Sequence, residues 1–411
     1  MPAIASETAP RRPPPFTLTD LHALGSLGFD SVAGITTLVE EMHRNIAHVS
    51  PPFGAAPVGA APGISGRVYA TVRGVTRLLG GGWRMAGGVL PPNGAAADDP
   101  RRAAWMSALN GVWGDHLEAS ANPLAIEMTL RHAGRPLTLD RASLAARFGE
   151  APRKLLVLLH GLCMNDLQWT RNGHDHGAAL ADALGYLPIY LRYNSGRRIA
   201  ANGRDLAELL ERLVEHWPGP IAELALLGHS MGGLVARSAA SHAETKRMGW
   251  RRLLRRIAFL GTPHHGAPLE RAGNYLDLAV ELSPYVAPFA RLGKARSAGI
   301  KDLRHGNTRD EDSREAAAGG ARDHRRPLPL PAGVRCHAVA ASLQEAPGIP
   351  GSRVRGDGLV PVASALGRHH RAVFQLGFAA ADTYLAYGTS HFGLLDSDAV
   401  ARKLIAWFGA D

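Results

Sequence analysis

The stretch LALLGHSMGGLVAR, residues 224–237, constrains the fold more than any other segment of the chain. It begins as a short apolar strand and resumes as an apolar segment with helical spacing, so the chain must turn within about four residues. Gly228, Gly232 and Gly233 remove the side chains that would collide where strand and helix approach closely. Ser230 is left at the tip of this turn, a position typical of a nucleophile elbow.

Composition indicates an ordinary globular protein. The chain has 411 residues, of which 45% are hydrophobic and 20% charged, so one large domain with additions fits the length. Cys163 and Cys336 are the only cysteines, so the sequence implies no disulfide framework. No apolar run approaches the roughly 20 residues that span a bilayer, and the first 20 residues lack the apolar core of a secretion signal. We therefore expect a cytoplasmic protein.

The net charge of +10 raises the question of an anionic partner. The basic residues are mostly scattered arginines, and no nucleic-acid motif accompanies them, so we expect no nucleic-acid partner. The densest cluster, RMGWRRLLRR at residues 247–256, favours a solvated helix face that leads into a strand. A peripheral contact with a lipid surface or a partner protein is the alternative that this cluster leaves open.

The chain divides into an amino-terminal extension, residues 1–120, and a catalytic domain, residues 121–411. The extension begins with a Pro- and Arg-rich segment that we expect to be disordered, and it continues with a predicted helix over residues 30–49. A second partly helical stretch covers residues 68–90. Within the catalytic domain, residues 266–331 form a predicted insertion with a helical, apolar part.

Apolar runs alternate with helical stretches through the catalytic domain. A hairpin is predicted at residues 126–139, and a helix with an apolar stripe at 206–217. Strands are predicted at residues 154–160, 185–193, 224–228, 256–263, 334–342 and 371–377. This alternation predicts an α/β fold, a mostly parallel, doubly wound sheet with helices on both faces.

A serine hydroxyl needs a base that accepts its proton, and that base works best when a carboxylate orients it. In a doubly wound sheet these groups lie on loops beyond the carboxyl ends of strands. Asp357, in a glycine-rich loop after the strand at 334–342, and His391, in a late loop, meet this condition. Rival acids are Asp382, which lacks an obvious glycine loop, and Asp396, which follows His391.

Five motifs carry a resemblance to a known superfamily: LVLLHG at 156–161, GHSMGG at 228–233, GTPHHG at 261–266, GDGLVP at 356–361 and TSH at 389–391. Over about residues 154–411 the chain resembles α/β-hydrolases, and among them bacterial lipases and PGAP1-like hydrolases. The resemblance implies the α/β-hydrolase fold with a helical cap. It also implies that Ser230 is the nucleophile, Asp357 the orienting acid and His391 the general base.

The same resemblance implies where a developing oxyanion would find its donors. The backbone N–H groups of Met231, which follows the serine, and of Leu162, which follows the His160-Gly161 pair, are the expected donors. We expect His160 itself to hold its loop through side-chain hydrogen bonds. Cys163 has no elbow of its own, so a thiol nucleophile is disfavoured.

We expect neither a metal nor a cofactor. The paired histidines at 174–176, 264–265 and 369–370 lack the helical spacing of zinc hydrolases, and no phosphate-binding glycine motif accompanies a strand. Together these features predict a serine hydrolase of carboxylic esters, with a lipid or another acyl ester as substrate. Acyl transfer by the same residues, and a non-catalytic lipid- or protein-binding module on this fold, are the alternatives.

Overall fold

The computed structural model describes residues 99–149, 151–267, 297–312, 325–346 and 356–410, with shorter stretches between residues 20 and 76. The helix predicted at 30–49 and most of the insertion predicted at 266–331 lie outside the described residues. Residue contacts divide the chain into two compact units. The first comprises Met1–Arg102 with Leu117–Leu124, and the second comprises Ala103–His116 with Ala125–Asp411.

The second unit is built on a sheet whose described strands are mostly parallel. The strands are β1 (Thr129–His132), β2 (Arg135–Pro136), β3 (Lys154–Leu159), β4 (Leu187–Arg192), β5 (Glu223–His229), β6 (Leu254–Leu260), β7 (Arg335–Ala341) and β8 (Thr383–Ala386). Their order across the sheet is β2-β1-β4-β3-β5-β6-β7-β8. Strands β3 to β8 pair in parallel, while β1 is antiparallel to both β2 and β4.

Central strands are apolar along their whole length because both faces of the sheet are covered. Every residue of β5 is buried, and so are all residues of β3 after Lys154. Burial on both faces explains why these strands appear in the sequence as continuous apolar runs rather than alternating ones. The parallel sheet and the hairpin at its edge, as predicted from that pattern, are confirmed.

Helices lie before, between and after these strands along the chain. They are α1 (Pro100–Ala119), α2 (Arg141–Phe148), α3 (His176–Leu184), α4 (Ile199–His216), α5 (Met231–Lys246), α6 (Ala298–His305), α7 (Val362–Ala365) and α8 (Asp398–Gly409). Helix α4 packs against α5, and α3 packs against α8. A search of the described helices for one long and apolar enough to cross a bilayer finds none.

The strand predicted at 371–377 is wrong. The chain there forms a 3₁₀ turn at Ala372–Phe374, closed by the N–H of Gln375 donating to the carbonyl of Ala372 at 3.0 Å. Val373 is exposed while Phe374 is buried, so this short apolar run lies at the protein surface and is not a strand of the sheet. The edge position belongs to β8, which pairs with β7.

Gly203 sets how closely α4 and α5 approach each other. A Cβ at this position would lie 2.6 Å from the Cβ of Ser238 on α5, and 3.0 Å from the backbone nitrogen of Ala239. Because the second of these neighbours is main chain, the clash cannot be relieved by a rotamer change alone. The glycine is therefore required by the packing of the two helices.

Gly203→Ala should lower the free energy of unfolding by about 1–3 kcal/mol, the usual cost of overpacking a tight interface. Urea denaturation followed by circular dichroism measures this change. Gly28→Ala is the matched control, since its added methyl group would meet nothing within 4 Å. Equal stability of the two variants would contradict the packing role of Gly203.

Candidate active site

Ser230 lies between β5 and α5 in a conformation that few residues adopt. Its φ is 53° and its ψ is −122°, and its N–H donates to the carbonyl of Leu260 at 2.8 Å. Side chains at Gly228, Gly232 or Gly233 would collide with neighbouring atoms, as the sequence predicted. A serine held at φ near +50° on a sharp strand-to-helix turn matches the geometry of a nucleophile elbow.

Asp357 and His391 form a buried pair. The Nδ1 of His391 lies 2.7 Å from the Oδ2 of Asp357, and both side chains are buried. The other carboxylate oxygen accepts from the N–H groups of Leu359, at 2.9 Å, and Val360, at 2.7 Å. Because a carboxylate only accepts, His391 carries its proton on Nδ1, and its Nε2 is left as a basic nitrogen.

Ser230 and His391 line one cleft at the carboxyl ends of the parallel strands. The cleft also contains Gly161 and Leu162 from the loop after β3. No hydrogen bond among the described residues joins the Ser230 hydroxyl to His391, and in ligand-free sites such bonds often tighten only when substrate binds. The structure thus brings the three predicted residues to one place.

Of the two predicted oxyanion donors, Leu162 lines the cleft and Met231 directly follows Ser230 in the chain. Met231 is the first residue of α5, where a helix N–H has no partner within the helix, and Leu162 lies in the loop after β3. Among the described residues, neither backbone N–H takes part in a hydrogen bond. The assignment of both groups as oxyanion donors stays a prediction.

His160 holds the loop that carries Leu162. Its ring stacks on that of Tyr193 at 4.2 Å, and its Nδ1 lies 2.8 Å from the carbonyl oxygen of Gly161. The N–H of Tyr193 donates to the Nε2 of His160 at 3.3 Å. Burial lowers the pKa of His160 to about 4, so the ring is neutral and fixes the loop without carrying charge. The predicted structural role of His160 is confirmed.

His229 is a site residue that the sequence analysis missed. Its Nε2 lies 3.1 Å from the carbonyl oxygen of His391, and the two ring centroids are 4.8 Å apart. Burial, followed by the proximity of His391, holds the pKa of His229 well below its usual value, so the neutral ring donates through Nε2. Its position directly before Ser230 in the GHSMGG motif could have identified it from the sequence.

Gly261 is the second site residue that the sequence analysis missed. Its φ of 58° is unfavourable for other residues, and a Cβ there would lie 3.1 Å from the His391 ring. The glycine therefore leaves room for His391. Its signal in the sequence was its position immediately after the apolar strand in GTPHHG, where a chain turns sharply.

The rival acids have other partners. Asp382 lies 3.0 Å from the Nδ1 of His337, which stacks on Trp407, and Asp396 lies 3.4 Å from Arg171.

Burial raises the pKa of the Cys163 thiol to about 12, so this cysteine stays protonated. Across the residues that the structure describes, no group of three or more His, Cys, Asp or Glu side chains could hold a metal ion.

Comparisons with known proteins bear on the fold. A family model described as the PGAP1-like alpha/beta domain matches residues 157–306, from β3 to the end of α6. With the sheet order and the elbow, this match decides the architecture. The domain has the α/β-hydrolase fold. A search of curated protein sequences finds no match.

Solved structures similar to this hydrolase domain share little sequence with it. A Listeria innocua protein is 15% identical over 63% of this chain and 94% of its own, with a TM-score of 0.37. A naproxen esterase from Bacillus subtilis is 15% identical over 63% and 84%, with a TM-score of 0.36. An esterase from Pyrococcus furiosus is 13% identical over 62% and 80%, with a TM-score of 0.35.

Asp357→Asn should reduce kcat by roughly 10²–10⁴-fold, because an amide favours the wrong tautomer of His391 while preserving the shape of the site. Steady-state hydrolysis of an aryl ester measures this loss. Asp382→Asn and Asp396→Asn are matched controls, since each removes one charge from a carboxylate that pairs elsewhere. A larger loss in either control would mean that the orienting acid has been assigned wrongly.

Proposed function

We propose that this α/β-hydrolase domain is a serine hydrolase that cleaves carboxylic esters. The observation that carries the proposal is the 2.7 Å contact between His391 Nδ1 and Asp357 Oδ2, which leaves a basic nitrogen in the cleft that contains Ser230. A nucleophile, a base and an orienting acid on three separate loops form the set of groups that acyl transfer requires. The match to the PGAP1-like alpha/beta domain supports a hydrolase.

The reaction proceeds in two halves. The Ser230 hydroxyl attacks the ester carbonyl while His391 Nε2 accepts its proton, and the N–H groups of Met231 and Leu162 stabilise the oxyanion. Collapse of the tetrahedral intermediate expels the alcohol, which takes the proton from His391. A water molecule then attacks the acyl-enzyme with His391 again as base, and release of the acid regenerates the Ser230 hydroxyl.

The substrate we propose is a lipid or another acyl ester. Apart from the catalytic groups, the cleft is lined mainly by apolar side chains, including those of Met164, Leu303, Leu359 and Phe392. Apolar walls with few polar groups suit an acyl chain. The space beside Ser230 is about 20 Å³, and we expect the wall side chains to move apart around a longer acyl chain. A peripheral contact with a lipid surface would bring such a substrate to the cleft.

Ser230→Ala should leave the fold intact and reduce kcat by roughly 10⁴-fold or more, since it removes the nucleophile and little else. Ester hydrolysis by the purified variant measures the loss, and circular dichroism verifies folding. Ser241→Ala, on the same helix, is the matched control and should retain wild-type activity. Near-wild-type turnover in Ser230→Ala would eliminate the proposed mechanism.

Acyl length provides a separate test of the substrate class. We expect kcat/KM for aryl esters to rise from acetyl to medium acyl chains, because each buried methylene contributes about 0.8 kcal/mol. Leu359→Asn, at a half-buried wall position, should flatten this rise and spare acetate-ester hydrolysis. Leu343→Asn is the control, since Leu343 is exposed and does not line the cleft. A wild-type profile that peaks at acetate would contradict a lipid-like acyl substrate.

A further inference from the structure

A second cavity, of about 220 Å³, shares no lining residue with the Ser230 cleft. We call it the basic cavity, after its ionisable lining residues, which are Arg237, His264, His265, Asp312, Arg325 and Arg326; Phe374 lines it as well. Three arginines and one aspartate thus line the same cavity. The proposed hydrolysis at Ser230 uses none of these residues.

Arg237 is a buried cation without an anionic partner. Its side chain is 5% exposed, and its guanidinium donates to the Nδ1 of His264, at 3.3 Å, and to the carbonyl of Leu328. Its Nε has no hydrogen-bond partner, and no carboxylate of the described residues forms an ion pair with it. Burial lowers the pKa of Arg237 to about 10, which still leaves it charged at neutral pH. A buried guanidinium is ordinarily matched by an anion.

Asp312 acts on Arg237 only from a distance and forms no ion pair with it, and its oxygens accept from backbone groups. One oxygen accepts from the N–H groups of Thr308, at 3.2 Å, and Arg309, at 3.1 Å. The other accepts from the N–H of Arg326 at 3.0 Å. These bonds make Asp312 a residue that fixes its own loop. Among the described residues, Asp312 therefore does not neutralise Arg237 through a direct ion pair.

His264 adds a neutral donor to the same walls. It is 1% exposed, and because its Nδ1 accepts from Arg237, the ring proton is on Nε2, which has no partner in the described part of the chain. Burial, followed by the charge of Arg237, holds the pKa of His264 well below its usual value, so the ring stays neutral. Arg325, another lining residue, packs over the Phe374 ring at 5.4 Å and donates to the carbonyl of His264 at 3.5 Å.

We propose that the basic cavity binds a phosphate group, either as free phosphate or as the phosphate of a small ester. The Nε of Arg237 and the Nε2 of His264 are buried polar groups without partners among the described residues, and a tetrahedral oxyanion can accept from several donors at once. Its volume exceeds that of one phosphate ion and leaves room for a small organic part. Phosphate binding at the basic cavity does not depend on ester hydrolysis at Ser230 and can be measured without turnover.

The basic cavity is linked to the Ser230 cleft through two shared elements. Arg237 follows Ser230 by seven residues on α5, about 10 Å along a helix axis. His264 follows Pro263, which lines the Ser230 cleft. A phosphate held by both residues would join α5 to the loop after β6 and stabilise the folded state.

Thermal unfolding of the full-length protein, titrated with inorganic phosphate against sodium chloride of equal ionic strength, tests the proposal. The melting temperature should rise with phosphate concentration and not with chloride. Arg325→Gln, at a half-buried position, should weaken the apparent phosphate affinity at least tenfold, and so should Arg237→Gln if it folds. Arg251→Gln is the matched control, since Arg251 also donates to a carbonyl, that of Ala332, but lies outside the cavity.

Glycerol 3-phosphate and acetate distinguish the source of the anion in the same assay. Tighter binding of glycerol 3-phosphate, lost in Arg325→Gln, would support a phosphate ester as ligand, and equal binding would support free phosphate. The proposal is overturned if phosphate stabilises no more than chloride or if acetate binds more tightly than phosphate. An effect of phosphate that persists in Arg325→Gln, or that Arg251→Gln reduces equally, overturns it as well.

Discussion

The close approach of β5 and α5 is the constraint on which the rest of the site depends. Glycines at 228, 232 and 233 let the helix begin against the sheet, because added Cβ atoms would meet the start of α5, the end of β3 and the end of β6, respectively. The turn holds Ser230 at a φ of 53°. Such a conformation costs of the order of 1–3 kcal/mol and persists only where the surroundings enforce it. The fully buried β5, paired with β3 and β6, provides that support.

Neutral histidines surround the reacting groups. His160 and His229 are buried, and burial lowers their pKa, so each contributes one donor and no charge. The negative charge of Asp357 therefore acts on His391 without competing cations from these rings. Burial of these neutral rings lowers the stability of the fold at low pH. The pKa of His160 is about 6.5 in the unfolded protein and about 4 in the folded one, so the unfolded state binds the proton first and stability decreases as the pH falls through that interval.

The sequence predicted those parts of the fold in which local pattern and burial agree. Strands β3 and β5 are continuous apolar runs, and the glycines around Ser230 admit few other backbone arrangements. The segment at 371–377 misled because a short apolar run fits a partly exposed turn as well as an edge strand, and β8 has only a weak apolar pattern. His229, Gly261 and the unpaired charge of Arg237 depend on contacts between distant segments, which spacing along the chain does not encode.

Covalent labelling of the full-length protein with a fluorophosphonate, followed by peptide mass spectrometry, tests the central claim most directly. A serine activated by His391 attacks the phosphorus of the reagent, which releases fluoride, while His391 accepts the serine proton. An unactivated surface serine does not react at a comparable rate. The account predicts a single adduct on the peptide that contains Ser230, with labelling slowed strongly in Asp357→Asn. An unlabelled wild-type protein, or an adduct on another serine, would contradict it.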